Sequence, residues 1–166
     1  RKVGAGLALN EISALRRDCL GRLFTDAKLS GHDGELIDDL LDPAILPSLV
    51  MMNPPFSHGL ERGHDGKTGS RHLRSAWKRL ASGGRLVAIM PEWFDVGALI
   101  AGQSGPIALR ANIAIDDAFV SRGTSIATRL IVADKSPTRA DPVTGRGARF
   151  AELCKMDAQN PECDCA

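Results

Sequence analysis

No apolar segment of this sequence is long enough to cross a lipid bilayer. The run over residues 86–91 is among the longest, and it is far shorter than the roughly 20 residues that a membrane-spanning helix requires. The chain also lacks a charged start followed by an apolar stretch, which is the mark of a secretion signal. We therefore expect a cytoplasmic protein without a membrane partner.

Neither charge nor cysteine content marks the chain for a particular ligand. The net charge is only +1, which neither indicates nor excludes binding to nucleic acid. Basic residues are concentrated over residues 62–79, a pattern that either approaches phosphates or forms a solvated face. The four histidines and the cysteines, among them Cys154, Cys163 and Cys165 near the C-terminus, fit no common zinc spacing. We therefore expect no metal site.

The sequence does contain an alternation of short apolar runs with longer amphipathic ones, which is typical of an α/β fold with a mostly parallel sheet. Its 166 residues suffice for one domain. Apolar runs near the C-terminus predict an antiparallel hairpin, and a polar composition predicts a flexible tail over residues 136–166. The remaining patterns predict strands over residues 6–10, 28–30, 49–52 and 85–90, and helices over residues 13–24, 36–41, 70–81 and 92–101.

Asn53-Pro54-Pro55-Phe56 directly follows the apolar run over residues 49–52. In an open α/β sheet, the loops at the carboxyl ends of the strands form the ligand site. Two consecutive prolines carry no N–H groups, so the loop presents carbonyl oxygens as acceptors beside the Asn53 side chain. Such acceptors can hold a planar amine and stabilise the positive charge that develops on it during attack on an electrophile. Phe56 adds a flat apolar face on which a base can stack.

These four residues resemble motif IV of the S-adenosylmethionine-dependent amino-methyltransferases, a family that includes the adenine-specific DNA methylases. Glu11 and Ile12 resemble the second motif, in which a carboxylate holds the ribose hydroxyls of the cofactor and an apolar side chain packs on its adenine. Asp33 and Gly34 are similar to the third motif, in which the aspartate accepts from the adenine amine. The segments near the C-terminus resemble the closing hairpin of plasmid and phage methylases related to strawberry-notch proteins.

The resemblance implies a Rossmann-like class I methyltransferase fold over residues 1–135, with S-adenosylmethionine as cofactor. The implied reaction is methyl transfer to an exocyclic amine, N6 of adenine in DNA, on a base flipped out of the duplex. RNA is the alternative partner, because enzymes that methylate amines in ribosomal RNA have a similar loop, as do those that methylate a protein glutamine amide. The implied catalytic residues are Asn53, Pro54, Pro55 and Phe56; the implied cofactor-binding residues are Glu11, Ile12, Asp33, Gly34 and Asn53.

One part of the family pattern is missing. The first motif, a strand and a glycine-rich turn that hold the methionine part of the cofactor, belongs before Glu11, and only ten residues precede Glu11. We therefore expect an incomplete domain with an open sheet edge, and a missing N-terminal segment or a partner subunit that completes it. A non-catalytic, methylase-like module that binds nucleic acid or another subunit is the alternative.

Several of these residues also have a purely structural interpretation. The proline pair can simply end a strand, and Glu11 can stabilise the start of a helix through the helix dipole. Asp33 lies in a His-Asp-Gly segment, where aspartate and glycine are common for backbone reasons alone. Trp77 and Trp93 are predicted to be core or helix-packing residues rather than stacking platforms for bases.

Overall fold

Strands alternate with helices through the first half of the chain, as the sequence predicts. The computed structural model describes residues 5–56, 58–59, 63–97, 105–116, 119, 123, 126–138 and 141–147. The helices in this part of the chain are α1 (Ala14–Leu23), α2 (Ile37–Leu40) and α3 (Thr68–Arg79), and a 3-10 helix (Gly34–Leu36) directly precedes α2. The strands are β1 (Ala8–Asn10), β2 (Lys28–Ser30), β3 (Leu49–Met52), β4 (His58–Gly59), β5 (Gly63–His64), β6 (Arg85–Pro91), β7 (Ala108–Ile115), β8 (Thr128–Asp134) and β9 (Val143–Gly147).

The main sheet has the strand order β3-β6-β8-β7-β9, and β1 pairs with β2 in a separate sheet. The pairs β1–β2, β3–β6 and β7–β9 are parallel, whereas β8 runs antiparallel to both of its neighbours, β6 and β7. A short antiparallel pair, β4–β5, lies between β3 and α3 in the chain. The predicted α/β class and the predicted antiparallel pairing near the C-terminus are thus confirmed.

One face of α3 packs on β6 and β8 to form the core. The buried helix residues recur every three or four positions and the buried strand residues every second position, which are the periods of a helix and of a strand. Each large side chain that is fully buried contributes about 1.5–3 kcal/mol relative to leaving it exposed. The cluster consists of Leu73, Ala76, Trp77, Leu80, Leu86, Ala88, Met90, Val96, Ile131 and Ala133.

The connection from α3 to β6 is fixed by backbone and side-chain bonds to the end of β8. Gly83, three residues after the C-cap Leu80 of α3, has φ 76°, a conformation that favours glycine. Its N–H donates to the Lys135 carbonyl at 2.8 Å. The Lys135 ammonium in turn donates to the carbonyls of Trp77 at 3.1 Å and Leu80 at 2.8 Å, which lie at the C-terminal end of α3. The bond to Leu80 satisfies a carbonyl at the helix end, and the bond to Trp77 is shared with the Leu80 N–H, which donates to the same carbonyl at 3.2 Å.

Two features differ from the sequence-based predictions. Residues 143–147, which the sequence analysis places in a flexible tail, form strand β9, because they pair in parallel with β7 from Ala111 to Ile115. Of the helix predicted over residues 92–101, residues 92–93 form a turn instead, residues 96–97 are helical as predicted, and residues 98–101 lie outside the described residues. Within the described part of the chain, no helix has the length and apolar character needed to span a bilayer.

Candidate active site

The carboxyl ends of β1, β2 and β3 line one end of a cleft of about 620 Å³, whose remainder runs between β1 and β3. Loops that follow parallel strands meet at the same edge of the fold, so residues distant in sequence become neighbours. The cleft brings together all but one of the residues that the sequence analysis selected: Glu11, Ile12, Asp33, Gly34, Asn53, Pro54 and Pro55. The exception is Phe56, which lines a smaller adjoining pocket.

Glu11 is held as an ionised carboxylate at the start of α1. Its Oε1 accepts from the Ser13 backbone N–H at 2.8 Å and from Arg16 Nη2 at 3.0 Å. The hydrogen bond from Arg16 is the largest cause that lowers the pKa of Glu11, followed by the bond from Ser13. Both bonds use the same oxygen, so Oε2 can accept from a ligand hydroxyl in the cleft. The helix-terminal and ligand-binding interpretations of Glu11 are therefore compatible.

Arg17 fixes the backbone of the loop after β1. Its Nη1 donates to the Glu11 carbonyl at 2.7 Å and to the Ile12 carbonyl at 3.2 Å. The guanidinium fits against Gly31, where an added Cβ would lie only 2.4 Å from Nη1. A side chain at position 31 would therefore displace Arg17. The Ile12 side chain remains 42% exposed at the cleft.

Asn10 joins the carboxyl ends of β1 and β2. Its Nδ2 donates to the His32 carbonyl at 2.9 Å, and its Oδ1 accepts from the His32 N–H at 3.0 Å and from Ser30 Oγ at 2.8 Å. The Asn10 amide therefore bonds to the His32 backbone as a neighbouring strand would, and it sets the position of the Asp33 segment relative to Glu11. Sequence reasoning missed Asn10, although its place at the end of a predicted strand was a usable signal.

Asp33 and Gly34 are positioned by local capping and by close contact with α3. The Asp33 carboxylate accepts from the Glu35 N–H at 3.0 Å, which caps the 3-10 helix. His72 Nε2 lies 3.8 Å from the same Asp33 oxygen. An added Cβ at Gly34 would lie 2.3 Å from His72 Nδ1, so the imidazole packs directly on this glycine. Nothing in the sequence signalled this contact, because it joins segments almost 40 residues apart.

Two basic residues of α3 pair with carboxylates of neighbouring segments. Arg71 makes a bidentate pair with Glu35, with Nε–Oε2 at 2.8 Å and Nη2–Oε1 at 2.9 Å, and it also contacts Asp65 at 2.8 Å. These carboxylates raise the pKa of Arg71 above its ordinary value. Lys78 Nζ lies 2.6 Å from Asp38 Oδ2. Carboxylate partners thus account for the charge of the partly buried Arg71, whereas Lys78 lies on the exposed, solvated face of the helix.

The Asn53 loop alternates between exposed and buried residues. Asn53 and Pro55 are exposed, Pro54 is buried and Phe56 is half-buried. The N-terminal turn of α3 lies against this loop, because an added Cβ at Gly69 would lie 3.3 Å from the Pro55 carbonyl oxygen. Pro54 therefore anchors the loop while the Asn53 side chain reaches the cleft.

Comparisons with known proteins support the fold assignment. No protein-family model matches the sequence, and no curated protein matches it. Among solved structures, a modification subunit assigned to a type I restriction enzyme of Vibrio vulnificus matches with a TM-score of 0.70 and 13% identity, covering 92% of this chain and 41% of that chain. The type I restriction-modification methyltransferase subunit of Streptococcus thermophilus matches with a TM-score of 0.55 and 18% identity, covering 76% and 33%.

A third match extends the likeness to a general methyltransferase. A Listeria monocytogenes protein assigned to the class I S-adenosylmethionine-dependent methyltransferases has a TM-score of 0.61 and 14% identity, covering 96% of this chain and 54% of that chain. At such identities, the likeness concerns the fold alone. The chain has the Rossmann-like class I methyltransferase fold, as predicted, and spans less than half the length of the two restriction-modification subunits.

The titration of His72 gives a pH-dependent test of the cleft wall. Burial lowers the pKa of His72, an effect that outweighs the opposite influence of Asp33 and Glu35. The folded protein keeps the His72 imidazole neutral, whereas the unfolded chain binds a proton with a pKa of about 6.5. The contribution of His72 to stability is therefore fully present above about pH 6.5 and is lost as the pH falls through the lower pKa of the folded state. We predict that the free energy of unfolding in urea decreases from about pH 7.5 to about pH 5.5, and that His72→Gln reduces this decrease.

His32→Gln is the matched control for this experiment, because Asn10 holds the backbone of His32 rather than its ring. The control is expected to keep the wild-type pH dependence. Equal slopes for the wild type and His72→Gln would contradict the buried, neutral state of His72.

Proposed function

We propose that this chain is the catalytic part of an S-adenosylmethionine-dependent methyltransferase that acts on an exocyclic amine, N6 of adenine in DNA. One observation carries the proposal: a single cleft joins the Glu11 carboxylate, the Asp33–Gly34 turn and the Asn53 loop at three strand ends. Binding of a nucleoside sulfonium and an amine requires an anionic group, an apolar side chain and a loop of hydrogen-bond acceptors.

The residues of the cleft fit the cofactor. The ionised Glu11 carboxylate suits two ribose hydroxyls, and the exposed Ile12 side chain offers an apolar surface to an adenine ring. Asp33 and Gly34, which follow the neighbouring strand, line the same cleft, where a carboxylate can accept from an adenine amine. When bound, S-adenosylmethionine supplies an electrophilic methyl group.

The Asn53 loop supplies the acceptors for the reacting amine. Asn53 Oδ1 and the carbonyl of the buried Pro54 can each accept one amine hydrogen, which directs the nitrogen lone pair away from the loop. The same oxygens stabilise the positive charge that grows on the nitrogen. The prolines contribute no competing donors, and the amine needs no strong base because its extra proton becomes acidic as the charge develops.

Two further observations bear on which molecule receives the methyl group. Two of the similar structures belong to type I restriction-modification systems, which favours DNA as the acceptor. An enzyme that modifies a base amine must also take the base out of the duplex, and the half-buried Phe56 beside the loop provides an apolar face for the extruded ring. RNA is the second candidate acceptor and is tested in the same assay.

The direct test is transfer of a labelled methyl group by the full-length gene product to DNA, with N6-methyladenine as the product measured. Asn53→Ala removes one stabilising oxygen and is expected to lower kcat by about 100- to 1,000-fold. Asn53 is exposed, so its replacement should leave the thermal unfolding temperature unchanged. Asn53→Asp is the matched control, because it keeps an acceptor oxygen and should retain part of the activity.

Three outcomes of this assay would revise the proposal. Wild-type turnover in Asn53→Ala would contradict the role of the loop. Transfer to RNA but not to DNA would make RNA the acceptor. Binding of nucleic acid without any transfer would identify the chain as a non-catalytic, methylase-like module.

An open slot between two strands indicates how the domain is completed. Among the residues that the structure describes, β1 pairs only with β2 and β3 pairs only with β6. Both open edges line the cleft, and β3 presents Leu49 and Met51 with 52% and 74% of their surface exposed. Unpaired backbone groups and exposed apolar side chains favour the addition of another strand. We propose that an apolar strand, from a further segment or a partner subunit, fills the part of the cleft between β1 and β3, parallel to both, and leaves the region at the strand ends open to the ligand.

Hydrogen exchange tests the slot. In the native assembly isolated from the source organism, amides of β1 and β3 should exchange at least about tenfold more slowly than in the isolated 166-residue chain, because strand pairing protects edge amides. Strand β8 is the internal control, since it is paired on both sides already and should exchange equally slowly in both samples. Equal exchange of β3 in the two samples would contradict the proposal.

A further inference from the structure

The turn after β6 is held rigidly beside the Asn53 loop. The Phe94 N–H donates to the Pro91 carbonyl at 3.0 Å, and the Glu92 N–H donates to the Ala127 carbonyl at 3.0 Å. Arg129 Nε adds a third bond, to the Glu92 carbonyl, at 3.0 Å. Residues 91–94 are thus tied to the segment before β8 and to β8 itself, so the side chain at position 93 is carried on a fixed support.

Trp93 is the side chain that this turn presents, and it is not a core residue. It is 60% exposed, whereas Trp77 is 1% exposed in the core. The core prediction is therefore correct for Trp77 and wrong for Trp93, which lies on the turn after β6 and outside the core cluster. The exposed indole offers a large flat face that a ligand can contact.

A small pocket of about 110 Å³ connects Trp93 with the Asn53 loop. Phe56 forms one part of its wall and Gly69 another, and Gly69 also approaches the Pro55 carbonyl oxygen. Phe94 and Asp95 complete the side that Trp93 occupies. Three of its nine lining residues are aromatic, the exposed Asp95 is its one carboxylate, and Phe56 belongs to the Asn53 loop itself.

We propose that this pocket receives the planar base that bears the acceptor amine, and that Trp93 provides a stacking face in addition to Phe56. The inference rests on the proposed amine methylation and deepens it by assigning the ring of the substrate to a particular wall. Aromatic stacking suits this task because it accepts the face of a base that has left the duplex without requiring paired strands.

The intrinsic fluorescence of the protein provides a direct test. Trp93 is the exposed tryptophan, so its emission should be quenched by a single-stranded oligo(dA), and much less by an abasic oligonucleotide of the same length. Affinity for oligo(dA), measured by anisotropy of an end label, should fall about 5- to 150-fold in Trp93→Ala, since loss of one stacking face has that effect. Trp93→Phe keeps an aromatic face and should stay within a few-fold of the wild type.

The outcomes separate this inference from the proposed function. Equal quenching by oligo(dA) and by the abasic strand, or wild-type affinity in Trp93→Ala, would overturn the stacking role. In the transfer assay, Trp93→Ala should raise KM more than it lowers kcat, whereas Asn53→Ala should lower kcat. Methyl transfer that depends on Asn53 but not on Trp93 would leave the proposed function standing and remove this inference. Absence of both adenine-dependent quenching and transfer would remove both.

Discussion

Burial of one face of α3 against β6 and β8 is the constraint on which the candidate site depends. The buried face secures the helix in the core, and the opposite face then holds each neighbouring segment by polar contacts. Arg71 pairs with Glu35 ahead of α2, and Ser75 Oγ both donates to the Asp38 carboxylate and accepts from its N–H. At its first turn, Gly69 approaches the Asn53 loop. One helix therefore sets the distance between the Asp33–Gly34 turn and the Asn53 loop.

The half of the site formed by β1, α1 and β2 is held differently. No residue of β1, α1 or β2 is buried, and Leu15 and Leu23 of α1 remain 76% and 74% exposed. Polar clamps, Asn10 across the strand ends and Arg17 on the following loop, hold this half together. Hydrogen bonds of this kind contribute about 0.5–1.5 kcal/mol each, which is less than a buried apolar layer would provide. A strand in the slot between β1 and β3 would supply the missing apolar contacts.

The sequence predicted those helices, strands and loops whose conformation is set by neighbouring residues. Ser13 caps α1, and the apolar run over residues 49–52 followed by two prolines gave both β3 and the loop at its end. Strand β9 was not predictable, because Val143–Gly147 contains two glycines and an arginine and becomes a strand only through its pairing with β7. The pairing of Arg71 with Glu35 and the packing of His72 on Gly34 were also not predicted, because both depend on how α3 packs against a segment distant in sequence.

The central claim is that the cleft at the ends of β1, β2 and β3 holds the nucleoside part of S-adenosylmethionine. An NMR titration of the chain with S-adenosylmethionine, adenosine and methionine tests it most directly. The account predicts that S-adenosylmethionine and adenosine shift the amide signals of Glu11, Ile12 and Gly34 alike, that methionine alone does not, and that Glu11→Gln weakens the response. Shifts confined to residues outside this cleft, or an unchanged response in Glu11→Gln, would contradict the account.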